Sequence, residues 1–276
     1  MPPIKTCSLS SGSSGNCIYV GCGDAHVLID AGRSARATAA LLAEIGLSPG
    51  DVSAVFITHE HSDHVGGLRV LAPRLGGPVY IAGESLDAFC PEAGDPFRGH
   101  IREFEPGEAI AAGGLFFGSF PVPHDSAANA GFVISAEGGG HKAVGIATDA
   151  GCFTREMASA LRGCGIFYIE SNHDADMLRR SSYPASLKRR ISSRLGHLSN
   201  AQCAEALPFL ADGGAREIVL FHLSEENNDP GIALGEAAAA LKAAGISDGS
   251  VRVSAAPRFS PSAMMTAGEG AFAIIR

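Results

Sequence analysis

Val52-Ser53-Ala54-Val55-Phe56-Ile57-Thr58-His59-Glu60-His61-Ser62-Asp63-His64 runs an apolar segment of buried-strand type straight into four candidate metal ligands, His59, His61, Asp63 and His64, within six residues. On a strand, alternate side chains diverge to opposite faces, whereas imidazoles and a carboxylate on a tight loop can converge on one point. Three histidines and an aspartate in so short a window are hard to satisfy as core residues. A solvated loop is the plainer alternative, and it leaves their grouping unexplained. The stretch therefore points to a metal-dependent hydrolase with its site on a strand-end loop.

Outward from this stretch, strands and helices alternate. Residues 17–20 and 25–30 are earlier β-like runs. Ser34 can cap a helix reaching about Ile45, with Leu41, Leu42 and Ile45 on its inner face and Gly46 ending it. Later strand-like runs lie at residues 79–82, 115–122, 132–135, 142–148, 166–170, 218–221 and 271–275. Helices are expected at residues 65–74, 154–161, 200–210 and 231–244. Residues 46–50 and 138–140 read as turns, and no low-complexity linker divides the chain. Residues 1–276 are thus read as one α/β domain with two sheets and outer helices.

Composition agrees with a globular enzyme. Of 276 residues, 46% are hydrophobic and 18% charged, far from the balance of a disordered chain. No signal-peptide pattern opens the sequence and no segment reaches the roughly 20 apolar residues of a membrane span, so a cytoplasmic protein without membrane partners is expected. The seven cysteines are scattered and form no Cys-x-x-Cys pair, which reads as reduced core thiols. A net charge of −8 argues against nonspecific attraction to nucleic acid. Residues 179–194, however, hold six basic side chains (Arg179, Arg180, Lys188, Arg189, Arg190, Arg194) and no acid. That run is either a solvated helix face or a contact for a polyanion.

Three more candidates begin loops after apolar runs: His124 after residues 115–122, Asp149 after 142–148 and His222 after 218–221. Singly, each can be an ordinary loop or core residue, a turn or a cap. Their recurrence at strand ends is the pattern of α/β enzymes, whose reacting groups gather on such loops.

The series His59-x-His61-x-Asp63-His64, His124, Asp149, His222 resembles the metallo-β-lactamase superfamily. The resemblance implies a four-layer αββα sandwich, two mixed sheets flanked by helices, holding two divalent metal ions. His59, His61 and His124 would bind one, Asp63, His64 and His222 the other, and Asp149 would bridge. Asp30, in Leu28-Ile29-Asp30-Ala31-Gly32, would support the ligands from behind. Finer motifs are Ser10-Ser11-Gly12-Ser13-Ser14-Gly15-Asn16, Glu170-Ser171-Asn172-His173-Asp174, Leu187-Lys188-Arg189-Arg190-Ile191, Gly196-His197-Leu198-Ser199-Asn200 and His222-Leu223-Ser224 with Asn227-Asn228. Over residues 10–228 these resemble the YycJ/WalJ branch, DNA exonucleases linked to repair in some bacteria, and more distantly tRNase Z.

The branch implies a phosphodiesterase whose nucleophile is a hydroxide held by the metals, with Asp63 in the catalytic set. Glu170 and His197 match a Glu-His pair that protonates the leaving oxygen, a task suited to an imidazole oriented by a carboxylate. His197 can also be a plain helix-entry residue, since Ser199 can cap a helix from Asn200. Ser13, Ser14 and Asn16 lie in a loop apt for a phosphate and equally apt as a hairpin turn. Asn172, Lys188, Arg189 and Arg190 complete the expected substrate contacts, and His173 either supports the site or belongs to a hydrogen-bonded loop. Zinc or manganese, and also iron, suit the donors.

Rival readings are a phosphodiesterase for RNA or a small cyclic nucleotide, and a thioester or lactone hydrolase of the same fold. Nothing in the latter chemistry calls for Glu170 with His197 or for the basic run. A non-enzymatic relative would be expected to have lost ligands, and all seven are present. The 72 residues between Asp149 and His222 are too few for the large inserted cap of some nucleases of the superfamily. The number of subunits is not legible.

Overall fold

In Ile166–Glu170, Ile166 and Tyr168 face one core while Phe167 and Ile169 face another. In Ala25–Ile29, Val27 and Ile29 likewise part from Leu28. Strands apolar on both faces must be covered on both, and the chain does this with two sheets packed face to face and helices outside. A computed structural model of the protein describes residues 2–136, 142–247 and 249–267, and the backbone of residues 274–275.

The chain begins with the antiparallel strands β1 (Ile4–Ser10), β2 (Cys17–Cys22) and β3 (Ala25–Ile29). It continues through α1 (Ala35–Glu44), β4 (Ala54–Phe56), α2 (Ser62–Val65), α3 (Leu68–Leu71), β5 (Val79–Ala82), α4 (Gly83–Phe89) and β6 (Ile101–Phe104). Here β3, β4, β5 and β6 run parallel. Next come the antiparallel strands β7 (Ala109–Ala112), β8 (Leu115–Pro121), β9 (Ala130–Ala136) and β10 (Lys142–Ala147). They are followed by α5 (Arg155–Leu161), β11 (Ile166–Glu170), α6 (Ala175–Arg180), α7 (Ala185–Ile191), α8 (Asn200–Asp212), β12 (Glu217–Phe221), α9 (Pro230–Ala243) and β13 (Arg252–Ala255). Strands β10 to β13 are parallel. Finally β14 (Met264–Ala267) pairs with β1, and β15 (Ile274–Ile275) with β14. The sheet orders are β15-β14-β1-β2-β3-β4-β5-β6 and β13-β12-β11-β10-β9-β8-β7.

Three cores make four layers. Leu41 and Leu42 of α1, Leu68 and Leu71 of α3 and Leu86 of α4 cover the outer face of the first sheet. Met157 and Leu161 of α5, Leu207 and Leu210 of α8 and Leu241 of α9 cover that of the second. Between the sheets, Phe56 stacks on Phe117 with ring centroids 3.9 Å apart, and the Thr6 and Tyr168 hydroxyls meet at 3.0 Å. That last bond satisfies a buried phenol and is worth about 1 kcal/mol.

Several elements differ from the sequence expectation. The strand read over residues 52–58 narrows to Ala54–Phe56. The helix read over 65–74 breaks at Gly66-Gly67, because the loop after β3 presses there. A Cβ on Gly67 would sit 2.0 Å from the Arg33 carbonyl, and the Gly67 amide donates to Ala31 at 2.9 Å. Ser34 caps α1 and Gly46 (φ 80°) follows it, while Ser199 begins α8 with a capping box to Gln202. The turn read at residues 138–140 and residues 271–273 of the closing strand lie outside the described residues. All seven cysteines are free thiols, and among the described residues no helix is long and apolar enough to cross a membrane.

Candidate metal centre

The site lies where the parallel strands of both sheets end. Asp30 follows β3, His59 follows β4, Glu170 ends β11 and His222 follows β12, with His124 beyond β8 and Asp149 beyond β10. Asp30 (φ 65°), Asp149 (φ 54°) and His222 (φ 57°) are the non-glycine residues with left-handed backbone among those described. Each such residue costs on the order of 1–3 kcal/mol and persists only when its surroundings hold it. They do: Asp30 N donates to Phe56 O at 2.8 Å, Asn129 Nδ2 to Asp149 O at 2.9 Å, and His222 N to Ser11 Oγ at 2.8 Å. The left-handed turn swings each side chain off its strand into one space.

Two ligand-type groups fill that space, His59 with His61 and His124, and Asp63 with His64, Asp149 and His222; within each, the donor atoms all lie within 4.8 Å of one another. The acceptors behind the rings fix the tautomers. His64 Nδ1 lies 2.7 Å from Asp30 Oδ2, His124 Nδ1 3.0 Å from Gly196 O and His222 Nδ1 3.0 Å from Glu170 Oε1. Carboxylates and carbonyls only accept, so each Nδ1 carries a proton and each Nε2 is the ring nitrogen turned inward. There, His64 Nε2 faces Asp149 Oδ2 at 3.2 Å, His222 Nε2 faces Asp63 Oδ2 at 3.1 Å and His124 Nε2 faces His61 Nδ1 at 3.2 Å.

Each of these contacts calls for a positive charge between the two atoms, a shared proton or a metal cation in its place. His59 makes the same point alone: it is fully buried, its Nε2 has no partner, and burial together with the neighbouring imidazoles holds its pKa well below the ordinary value. Burial would raise the pKa of Asp63 and Asp149, but the imidazoles outweigh it, His64 and His222 holding Asp63 at about 2 and Asp149 well below its usual range. The same carboxylates outweigh burial at His64 and His222, pushing the first well above the ordinary imidazole value and the second up to about 10, so these two rings hold a proton that a metal ion would displace. Imidazoles and ionised carboxylates are the donor set of a divalent metal, and the residues present fit one.

A third group adjoins these. Glu170 Oε1 accepts from His197 Nδ1 at 2.7 Å as well as from His222, while its Oε2 accepts from the amides of Ala150 at 2.8 Å and Leu198 at 3.1 Å. Burial pushes the His197 pKa down, and Glu170 and Asp149 more than offset it, leaving it above the ordinary imidazole value. The His197 side chain is 18% exposed, so its ring borders the open side of the centre.

The structure gathers His59, His61, Asp63, His64, His124, Asp149, His222, Asp30, Glu170 and His197 into this one constellation. Other expected residues stand elsewhere in the design. Asn16 is buried, with its Oδ1 accepting from Gly12 N at 2.8 Å and its Nδ2 3.0 Å from His64 Nε2, so its amide braces ligands. Asn172 Nδ2 donates to His222 O at 3.0 Å and does similar work. Ser13 and Ser14 are exposed at the loop tip. His173 is buried with an unpartnered Nδ1, and its carbonyl accepts from Asn200 N at 2.9 Å. Lys188 Nζ donates to the carbonyls of Arg179 at 2.8 Å and Ser181 at 2.7 Å, and Arg190 pairs with Asp125. Arg189 is exposed and, among the described residues, without a side-chain partner.

Sequence reading missed the braces. Thr58 N donates to Asp30 Oδ1 at 2.8 Å, and its hydroxyl lies 3.0 Å from His59 Nδ1. Glu60 accepts from Ser85 Oγ and from Ala127 N, each at 2.7 Å, tying the ligand loop to the turn before β9. A hydroxyl between the apolar run and the first histidine was a usable signal for Thr58. Asn129 and Ser11 gave none.

Comparison with known proteins agrees with this architecture. Residues 11–141 match the metallo-beta-lactamase superfamily. The chain is 38% identical over 220 residues to the exodeoxyribonuclease YycJ of Bacillus anthracis, covering 80% of this chain and 82% of that protein. It is 39% identical over 229 residues to the exodeoxyribonuclease WalJ of Streptococcus pneumoniae serotype 2, covering 82% and 83%. Among solved structures, the metallo-beta-lactamase fold protein YhfI of Bacillus subtilis superposes with a TM-score of 0.68 at 18% identity, covering 95% of this chain and 99% of YhfI, a likeness of fold.

Proposed function

The chain belongs to the metallo-beta-lactamase superfamily and, within it, to the family of the YycJ and WalJ exodeoxyribonucleases, and from that premise we propose that it is a two-metal phosphodiesterase digesting DNA from an end. The observation that carries the reading is a full set of seven ligand-type residues beside a histidine outside that set with a carboxylate of its own, His197 on Glu170. His59, His61 and His124 would hold one ion, Asp63, His64 and His222 the other, with Asp149 between them. Two such ions, zinc or manganese, with iron also suited, supply Lewis-acid stabilisation of phosphoryl oxygens and an acidified water when bound.

The remaining work falls to the chain. Glu170 anchors His197 through Nδ1, which leaves Nε2 for the bridging oxygen of the scissile ester. A deoxyribose alkoxide is a poor leaving group, and a proton delivered as the bond breaks answers that difficulty. A thioester, which expels a stable thiolate, makes no comparable demand. Asp63, exposed at its edge and fixed against His222, lines the side by which the phosphate enters. Arg189 and Arg194, both exposed, supply positive charge for the polymer beyond the scissile bond.

The test is digestion of end-labelled double-stranded DNA, single-stranded DNA and RNA by metal-loaded protein, with Asp149→Ala as control. Stepwise release of DNA label by the wild type, abolished in the variant together with its metal, is the expected result. Equal digestion by both proteins, or no cleavage of any polymer, overturns the reading.

A further inference from the structure

Phe259 is 56% exposed, and the residue before it is firmly held. Its neighbour Arg258 donates from Nη2 to the carbonyl of Leu223 at 2.9 Å, one residue beyond His222, and the Arg258 carbonyl accepts from Ser11 N at 3.4 Å. Arg258 also packs so closely on the loop after β1 that a Cβ on Gly12 would meet its Nη1 at 2.7 Å. The chain beside the ring is therefore tied to two segments that already position His222.

A cation lies against this ring. The Arg33 Cζ stands 4.9 Å from the Phe259 centroid, and Arg33 Nη1 donates to Ser14 O at 3.2 Å. Arg33 in turn follows Gly32, where a Cβ would come within 1.7 Å of the Asp63 carbonyl. Ring, guanidinium and the exposed Ser13-Ser14 tip thus form a rim on the Asp63 and His222 side of the metal centre. A lone exposed phenyl needs no explanation. A phenyl fixed at the mouth of a site, with a guanidinium against it and the rest of its surface in solvent, has the makings of a stacking platform.

We infer that Phe259, backed by Arg33, stacks an unpaired nucleobase of the strand being cut; the inference rests on the nuclease reading of the site. The flat groups that accompany a phosphodiester into such a site are bases. Every base has a π face, so the platform grips without choosing a sequence, and it requires an end that is single-stranded or frayed.

The chain contains no tryptophan, so Phe259→Trp places a sole indole in the rim. Metal-loaded F259W is titrated with a phosphorothioate-linked deoxyoligonucleotide and, separately, with a base-free deoxyribose-phosphate chain of equal length, and indole emission is read. Affinities of wild type, F259W and Phe259→Ala for the oligonucleotide are measured alongside. Saturable quenching by the base-bearing chain alone, with affinity kept in F259W and weakened about 5- to 100-fold in F259A, supports the inference. Digestion of labelled DNA without quenching, or equal affinity in F259A, overturns the platform and leaves the nuclease reading standing. Neither binding nor cleavage of any oligonucleotide overturns that reading and the platform with it.

Discussion

His197 shows what one residue contributes once its neighbours fix it. Its Nδ1 is committed to Glu170 at 2.7 Å, the same oxygen that steadies His222, so the proton it can give is separated from the ligands while its ring stays in their frame. His197→Ala should leave the metal content unchanged and lower kcat on DNA by about 10²- to 10⁴-fold, the usual worth of a general acid. A diester with a nitrophenolate leaving group, which departs without a proton, should lose far less. Equal losses on both substrates, with metal retained, would remove His197 from the acid's role. The clustering of His59, His61, Asp63 and His64 could be read from spacing because six consecutive positions concentrate chemistry that no core would hold. The braces Asn129 and Ser11 could not be read, since they act through contacts to residues 20 and 211 positions away. For a related reason the bracing by Asn16 and Asn172 was not legible: sequence shows an amide in a loop, but not its hydrogen bonds to His64 and His222.

Among the elements, α6 and α7 say most about the substrate. The helix α7 buries no residue and is tied down by Lys188 to the chain end of α6, by Arg190 to Asp125, and by His197 N to Ile191 O at 2.8 Å. The basic run looked in sequence like six unopposed cations. In the structure, Arg179 and Arg180 pair with Asp176 one turn earlier, Arg190 pairs with Asp125 from a distant loop, and Lys188 is spent on the carbonyls of Arg179 and Ser181 within the run. Arg189 and Arg194 are left without side-chain partners among the described residues. Replacing both by Gln should lower the slope of log affinity for DNA against log salt by about one to two. Arg179→Gln with Arg180→Gln should change it less; an unchanged slope in the first variant would show that the arm does not touch the polymer. Helices without a buried stripe give no apolar periodicity, which is why α6 and α7 escaped the reading that found α1, α5, α8 and α9.

For the whole molecule, the metal centre is a seam. His59, His61, Asp63 and His64 come from the first sheet, and His124, Asp149 and His222 from the second. The facing pairs His61 with His124, His64 with Asp149 and Asp63 with His222 all cross from one sheet to the other. A cation bound there joins the two halves, and its binding free energy becomes cohesion between sheets. The intersheet core around Phe56, Phe117, Phe132 and Tyr168 already holds them without it, unlike a small zinc-dependent domain that cannot fold alone. The expected outcome is a graded effect. At free metal about 100-fold above Kd, binding adds about 2.7 kcal/mol, which in a chain of this size corresponds to a Tm roughly 5–10 °C higher. Differential scanning calorimetry with and without a chelator measures this shift, and Asp149→Ala should reduce it. A Tm indifferent to metal would mean that the seven residues do not bind an ion tightly, whereas complete unfolding on chelation would mean that the apolar layer between the sheets carries less of the stability than its burial implies.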